Sequence, residues 1–309
     1  MSETLVFNKP ALTIPQQIEL LRSRGLGFDS PQDAARILTF IGYYRLSGYA
    51  KIYLQKDPAN PESFIKGTTF ERILSLYNFD RKLRILVLGE IERIEVAIKA
   101  VLSNTMSLDY GAHWYMEQRY FNERFQFRDF LERLKVETGF ENKSLKGRKK
   151  QDPIFSHYYS KYKDPSMPPS WMMMENVSIG TVSLVFERLG NKEDKKKIAK
   201  AFSTKPWVLQ SWLHSLSYVR NICAHHGRLY NRHFKITPVS IKKYQQHFKK
   251  MNSFYTQAVI MHLLLQRISP TNATLGKELL RLLEEHPEVE NRMISFPEGW
   301  EQDVFWEIS

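Results

Sequence analysis

The chain has 309 residues, of which 42% are hydrophobic and 25% charged, a balance that suits a globular protein and excludes a disordered one. A single cysteine, Cys223, excludes an intramolecular disulfide framework and a cysteine-rich zinc module. Lys and Arg number 45 against 33 Asp and Glu, a net charge of +12, which fits a polyanionic partner whose counterions are released when basic side chains replace them.

The opening MSETLVFNKPALTI lacks the basic-then-apolar pattern of a signal peptide. No run reaches the ~18 apolar residues of a membrane span, so a cytoplasmic protein without membrane contact is expected. Thr13 is placed to cap a first helix, with Pro15 in its first turn and Gly25 as its stop. Ser30 and Pro31 open a second, with Ala34, Ile37, Leu38 and Ile41 on one stripe. The stretch 41–55 continues it, with a kink at Gly42 or Gly48. From Thr69 to about Leu108 no proline intervenes, and Ile73, Leu76, Tyr77, Leu83, Val87, Ile91, Ile94 and Ile98 mark the inner face of a long helix.

A helix over about 122–138 precedes a basic stretch at 141–153, read as an exposed loop. Helical segments around 153–163, 171–176 and 178–189 follow, with DPSMPP (164–169) as a break. A short Lys-rich helix occupies 192–202. Pro206 opens a helix that carries Trp207, Leu209, Trp212, Leu213, Leu216, Val219 and Ile222 and should end near Gly227. A polar and aromatic turn leads to Pro238, a long helix over about 240–268 and another over 274–286. The tail SFPEGWEQDVFW (295–306) should fold back as an irregular, aromatic-anchored strap. The expectation is an all-α chain. It forms one unit over 1–309 or divides into an N-terminal helical part (1–65), a core (66–270) and a C-terminal extension (271–309).

The most unusual local sequence is YVRNICAHHGRLYNRHF (218–234). Asn221 and His225 fall on one helix face, and the long Arg220 side chain can reach toward it. Cutting RNA without a metal needs a group to take the ribose 2′-proton and a cation to hold the charge of the phosphorane. Histidine titrates near neutrality and can act as base or acid. Arginine stays protonated and grips phosphate through a fixed fork of donors. Asn221 can orient His225 or donate to a phosphate oxygen. The spacing alone is unspecific: it recurs at Arg228–His233, in the turn, and at Arg281–His286, where a helix end explains it.

IGYYRLSGY (41–49), LYNFDRKLR (76–84), RNICAHHGRLYNR (220–232) and FPEGW (296–300) together resemble the Abi-like (abortive infection, AbiD/AbiF) family of bacterial phage-defence proteins. That family is similar to the HEPN superfamily of helical domains. Its active members are metal-independent ribonucleases with an Arg-(Asn/His/Asp)-x3-His motif. The resemblance implies a HEPN-type multi-helix bundle with added N- and C-terminal helices. It implies Arg220, Asn221 and His225 as the catalytic residues of a toxin-like endoribonuclease that needs no cofactor and leaves 2′,3′-cyclic phosphate ends. Such enzymes pair two motifs, and this chain holds one, so the resemblance implies a homodimer or an inactive monomer. A regulatory noncoding RNA is a further implied partner.

Candidate RNA contacts are His226, Arg228 and Arg232 beside the motif. Two lysine-rich runs join them: Lys143, Lys146, Arg148, Lys149 and Lys150, and Lys195, Lys196 and Lys197. Such runs are most often simply solvated. The cluster His225, His226, His233 and Cys223 fits no usual zinc spacing, so no metal is expected. Tyr230 is read as a packing residue and the methionines at 172–174 as pliable core. Two other functions remain open: a silent RNA-bound scaffold, and an interaction module that senses a phage component.

Overall fold

The computed structural model describes residues 10–138 and 153–306. It is all-α: among these residues there are helices and isolated bridges but no strand. The chain divides into two compact units, residues 1–82 with 282–289 and residues 83–281 with 290–309.

In the first unit, α1 (Ile14–Ser23) starts at Thr13, whose side chain accepts from the Gln16 N–H while the Gln16 side chain accepts from the Thr13 N–H, a reciprocal capping box. Helix α2 (Pro31–Ile41) is capped by Ser30 and buries Ala34 and Leu38. Gly42, at φ +85°, ends α2 and starts α3 (Tyr43–Ala50). Of the two glycines, it alone breaks the helix, because a left-handed φ is cheap only without a Cβ. Helix α4 (Phe70–Tyr110) has 41 residues, about 60 Å at 1.5 Å per residue. It begins where the Thr69 hydroxyl accepts from the Arg72 N–H and stops at Gly111, φ +88°. Its first turns belong to the first unit, where the Tyr49 hydroxyl donates to the buried Asp80 carboxylate (2.7 Å).

The rest of α4 belongs to the second unit and buries Leu83, Val87, Ile91, Ile94, Ile98, Leu102 and Met106. This is the expected stripe extended by two turns; Tyr77 is only half-buried. Helix α5 (Phe127–Thr138) starts later than expected. Residues 122–126 instead turn back, with the Asn122 N–H donating to the Arg188 carbonyl and Phe121 and Phe125 stacked at 4.7 Å. Short helices α6 (Pro153–Lys161), α7 (Ser170–Asn176), α8 (Ile179–Arg188) and α9 (Lys192–Ala201) follow.

Helix α10 (Pro206–Ala224) packs against α8, α9 and α11 (Phe254–Ile268). Gly180 sets the approach of α8, since a Cβ there would lie 3.0 Å from the Ser217 hydroxyl. The single long helix expected over 240–268 is two pieces: a 3-10 turn at Lys242–His247, and α11 from Phe254. Ser253 caps α11 by accepting from the Thr256 N–H, and the Asn252 carbonyl accepts from the Phe234 N–H. The backbone at 248–253 is thus committed to the preceding loop and a cap rather than to helix.

Helix α12 (Leu275–Glu284) precedes the tail. There Phe296, Trp300 and Trp306 are buried against one another and against Tyr255, with ring centroids 4.7–5.8 Å apart. Each such pair contributes about 0.5–1.5 kcal/mol beyond its burial. The His262 ring nitrogen Nε2 closes the strap against the Phe305 carbonyl at 2.6 Å.

Candidate active site

Helix α10 is amphipathic in a way that exposes its chemistry. Its inner face buries Leu209, Trp212, Leu213, Leu216, Val219, Ile222 and Cys223. At 100° per residue, Trp207, Ser211, His214, Tyr218, Asn221 and His225 fall within one narrow sector of the opposite face. Their burial agrees: Trp207, His214, Asn221 and His225 are exposed, and Ser211 and Tyr218 half-buried. Arg220, about 140° from His225 on the same count, falls within the arc of the inner face and is half-buried, so only its long side chain can reach toward the exposed face.

The helix ends at Ala224, three residues before Gly227, near which its end was expected. His225 is its C-cap (φ −90°, ψ 18°), with its N–H on the Asn221 carbonyl. His226 N–H donates to the Cys223 carbonyl (3.0 Å) and Gly227 N–H to the Ile222 carbonyl (2.7 Å). That is a Schellman closure, with His226 at φ +57° in the position usually given to glycine. Gly227 is sterically required, because a Cβ there would meet Ile222 Cγ2 at 2.9 Å and its carbonyl oxygen at 3.0 Å. His225 and His226 are therefore presented to solvent by backbone hydrogen bonds.

The following loop is strapped along α10. The Val239 N–H donates to the Ser211 hydroxyl (2.9 Å), the Trp212 indole N–H to the Val239 carbonyl (2.9 Å), and Ser215 Oγ lies 2.8 Å from Gln257 Oε1 and 3.3 Å from the Ile236 carbonyl. Leu229 and Tyr230 are fully buried. The Arg228 guanidinium sits 5.0 Å over the Tyr230 ring, and Arg232 donates to the Arg228 carbonyl (3.0 Å). The Asn231 N–H reaches the Met293 carbonyl at 2.6 Å. His233 is exposed.

The structure thus brings Arg220, Asn221, His225, His226, Arg228 and Arg232 to one end of one helix. Arg228 and Arg232 are half-buried and share the folding of the loop. The α9 lysines are engaged elsewhere in the protein. Lys195 donates to the Glu187 carbonyl (2.6 Å), and burial lowers its pKa. Lys196 pairs with Glu193 (2.7 Å) and Lys197 with Asp109 (2.6 Å). Lys143, Lys146, Arg148, Lys149 and Lys150 lie outside the described residues. Among the described residues no group of three or more His, Cys, Asp or Glu side chains is arranged to hold a metal ion.

The model of the Abi-like protein family matches residues 36–231, well over half of the chain and all of the α10 motif. The chain belongs to the Abi-like family. Neither a curated protein nor a solved structure matches it significantly. Membership in the Abi-like family associates the chain with abortive infection, a phage defence. No helix among the described residues is long and apolar enough to cross a membrane.

The reading of residue types did not single out the opposite end of α10. Trp207, though placed on this helix, is 53% exposed there. It borders a groove of about 760 Å³ with Tyr244, Lys205, Lys242, Lys243 and Arg267. A signal was present in the spacing: Trp207 precedes His225 by 18 residues, five helical turns, which returns it to the same face.

Proposed function

We propose that this Abi-like protein is a metal-independent endoribonuclease of HEPN type, with Arg220, Asn221 and His225 as its catalytic residues. The observation that carries the reading is the end of α10. A solvent-facing imidazole at the C-cap shares a face with Asn221, beside the half-buried Arg220, on a backbone fixed by a Schellman closure and a strapped loop. Sites held on rigid elements are more precise than those on loose ones.

In this reading the His225 imidazole takes the proton from a ribose 2′-hydroxyl, and the resulting oxygen attacks the adjacent phosphorus. The P–O5′ bond breaks, leaving a 2′,3′-cyclic phosphate and a 5′-oxygen that takes a proton from the general acid to become the 5′-hydroxyl. Arg220 stabilises the negative charge on the phosphorane, and Asn221 donates to a phosphate oxygen or holds the imidazole. The chain carries one copy of the motif, whereas HEPN enzymes pair two, and the reaction uses a base and an acid. A second copy of the chain supplies the partner group, so the active species is a homodimer. Its phage-defence role is that of a toxin acting on RNA in the cytoplasm, with a regulatory noncoding RNA as a further ligand for the net positive charge.

The test is cleavage of mixed labelled RNAs in excess EDTA by wild type and His225→Ala, at concentrations that favour the dimer. Wild type is expected to cut and leave cyclic-phosphate ends, and His225→Ala to be slower by about 10²- to 10⁴-fold. Equal cleavage by both proteins, or cleavage abolished by EDTA, would overturn the assignment. Binding without cleavage by either would favour an RNA-bound scaffold.

A further inference from the structure

The groove at the N-terminal end of α10 combines exposed rings with basic side chains. Trp207 projects from the first turn of the helix, half-exposed. Tyr244 forms another part of the lining, fixed edge-on against Phe305 (5.7 Å between centroids), with the Lys243 ammonium 4.8 Å from its ring centre. Lys205, Lys242, Lys243 and Arg267 are exposed around these rings, and no Asp or Glu is among the lining residues. Lys195, Lys196 and Lys197 of α9 face a carbonyl and two carboxylates, whereas in the groove Lys243 lies over the Tyr244 ring and Arg267 donates through Nε to the Ala201 carbonyl (3.2 Å). A second basic depression, with Arg124, Arg133 and Arg188 beside Phe125 and Phe130, differs in its charges: Asp129 lines it and Arg188 pairs with Glu187 at 3.2 Å.

Aromatic faces interleaved with unopposed cations are what an unpaired nucleic-acid strand needs. Every base has a face to stack, and each phosphate needs a counter-charge. A duplex hides its base faces and presents only its backbone. Trp207 and His225 lie on the same face of α10, and 18 residues at 1.5 Å per residue separate them by about 27 Å. His214 and Asn221 stand exposed between them. We infer that the Trp207–Tyr244 groove is a binding site for single-stranded RNA. Its stacked bases anchor the strand at one end of α10 and lay the backbone along the exposed face toward Arg220 and His225. The inference rests on RNA as the substrate but not on its cleavage.

The test measures binding of a fluorescently labelled single-stranded 12-nucleotide RNA to His225→Ala protein, so that cutting does not interfere, with a hairpin of equal length as competitor. Trp207→Ala is expected to weaken binding by about 5- to 100-fold, and Trp207→Phe, which keeps a stacking face, to restore most of it. Lys242→Ala with Lys243→Ala should reduce the magnitude of the log–log salt slope by about 1.4, at ~0.7 per lost contact to a single strand. Unchanged affinity in Trp207→Ala, equal competition by the hairpin, or no single-strand binding at all would overturn the groove assignment. Each of those results leaves the nuclease reading to be judged by cleavage of structured RNA. Conversely, groove-dependent binding by a wild type that never cuts would overturn the nuclease reading and leave the groove standing.

Discussion

Six of the nine histidines of this chain show two contrasting settings. At the end of α10, His225, His226 and His233 stand in solvent on a backbone closed by hydrogen bonds. Elsewhere, His247, His262 and His286 are buried and committed to partners. His247 stacks on Phe305 at 4.1 Å with Nδ1 3.0 Å from the Tyr255 hydroxyl, and His286 packs edge-on against Phe79 with Nδ1 3.3 Å from Glu288. His225 and His286 share the same spacing to an arginine. The spacing is therefore no guide to role, and the environment decides. A buried imidazole packed against aromatic rings helps to hold a fold together, while an exposed one can meet a substrate.

The contrast can be broken most sharply by truncating one member of each class. His286→Ala removes a ring contact and leaves Ser75 and Glu288 short of a partner, so it should lower unfolding free energy by about 2–3 kcal/mol in urea titration. Cleavage per folded molecule should not change. His225→Ala should leave the urea midpoint within experimental scatter, as expected for an exposed side chain. Reversed behaviour would mean the two settings had been assigned the wrong way round.

The exposed setting also depends on Gly227. Gly227→Ala pushes a methyl group into Ile222 and should cost about 1–3 kcal/mol as the closure shifts. Ribonuclease activity should fall with it, because His225 moves too. Retention of both would show that the helix end tolerates a looser geometry than the contacts imply.

The smallest effect is in pH. Burial holds the His247 ring below its ordinary pKa, against the raising effect of Asp303, and burial does the same to His113. Both are neutral when folded and gain a proton more readily when unfolded. Their contribution is fully present above about pH 6.5, the unfolded value, and is lost as pH falls through the folded value. Thermal midpoints should decline between pH 7 and pH 5, and His247→Gln should flatten that slope. An equal slope in the variant would remove His247 from the buried class.

Much of this was legible in the sequence where a single physical rule operates. The caps at Thr13 and Ser30 and the inner stripe of α4 follow from local donors and 3.6-residue periodicity. The α10 motif stood out as an unusual local sequence, but its spacing recurs twice elsewhere, and its catalytic reading came from the family resemblance. The break before α11 was not, because it depends on the Asn252 carbonyl serving Phe234, eighteen residues earlier in the chain. The partners of the α9 lysines were not legible either, because Asp109, which pairs with Lys197, comes from the end of α4. The groove was missed because its parts come from residues 202–212, 240–244 and 263–267, and no window of sequence contains them together.

The strap along α10 has a consequence for how the site breathes. Because the backbone at 236–239 is bonded to Ser211, Trp212 and Ser215, the loop after His225 cannot detach without breaking hydrogen bonds to the middle of the same helix. Helix and loop should open as one cooperative element. In amide exchange the Val239 N–H would then keep time with the α10 core rather than with the surface, and the end of the helix would reach its partner already assembled.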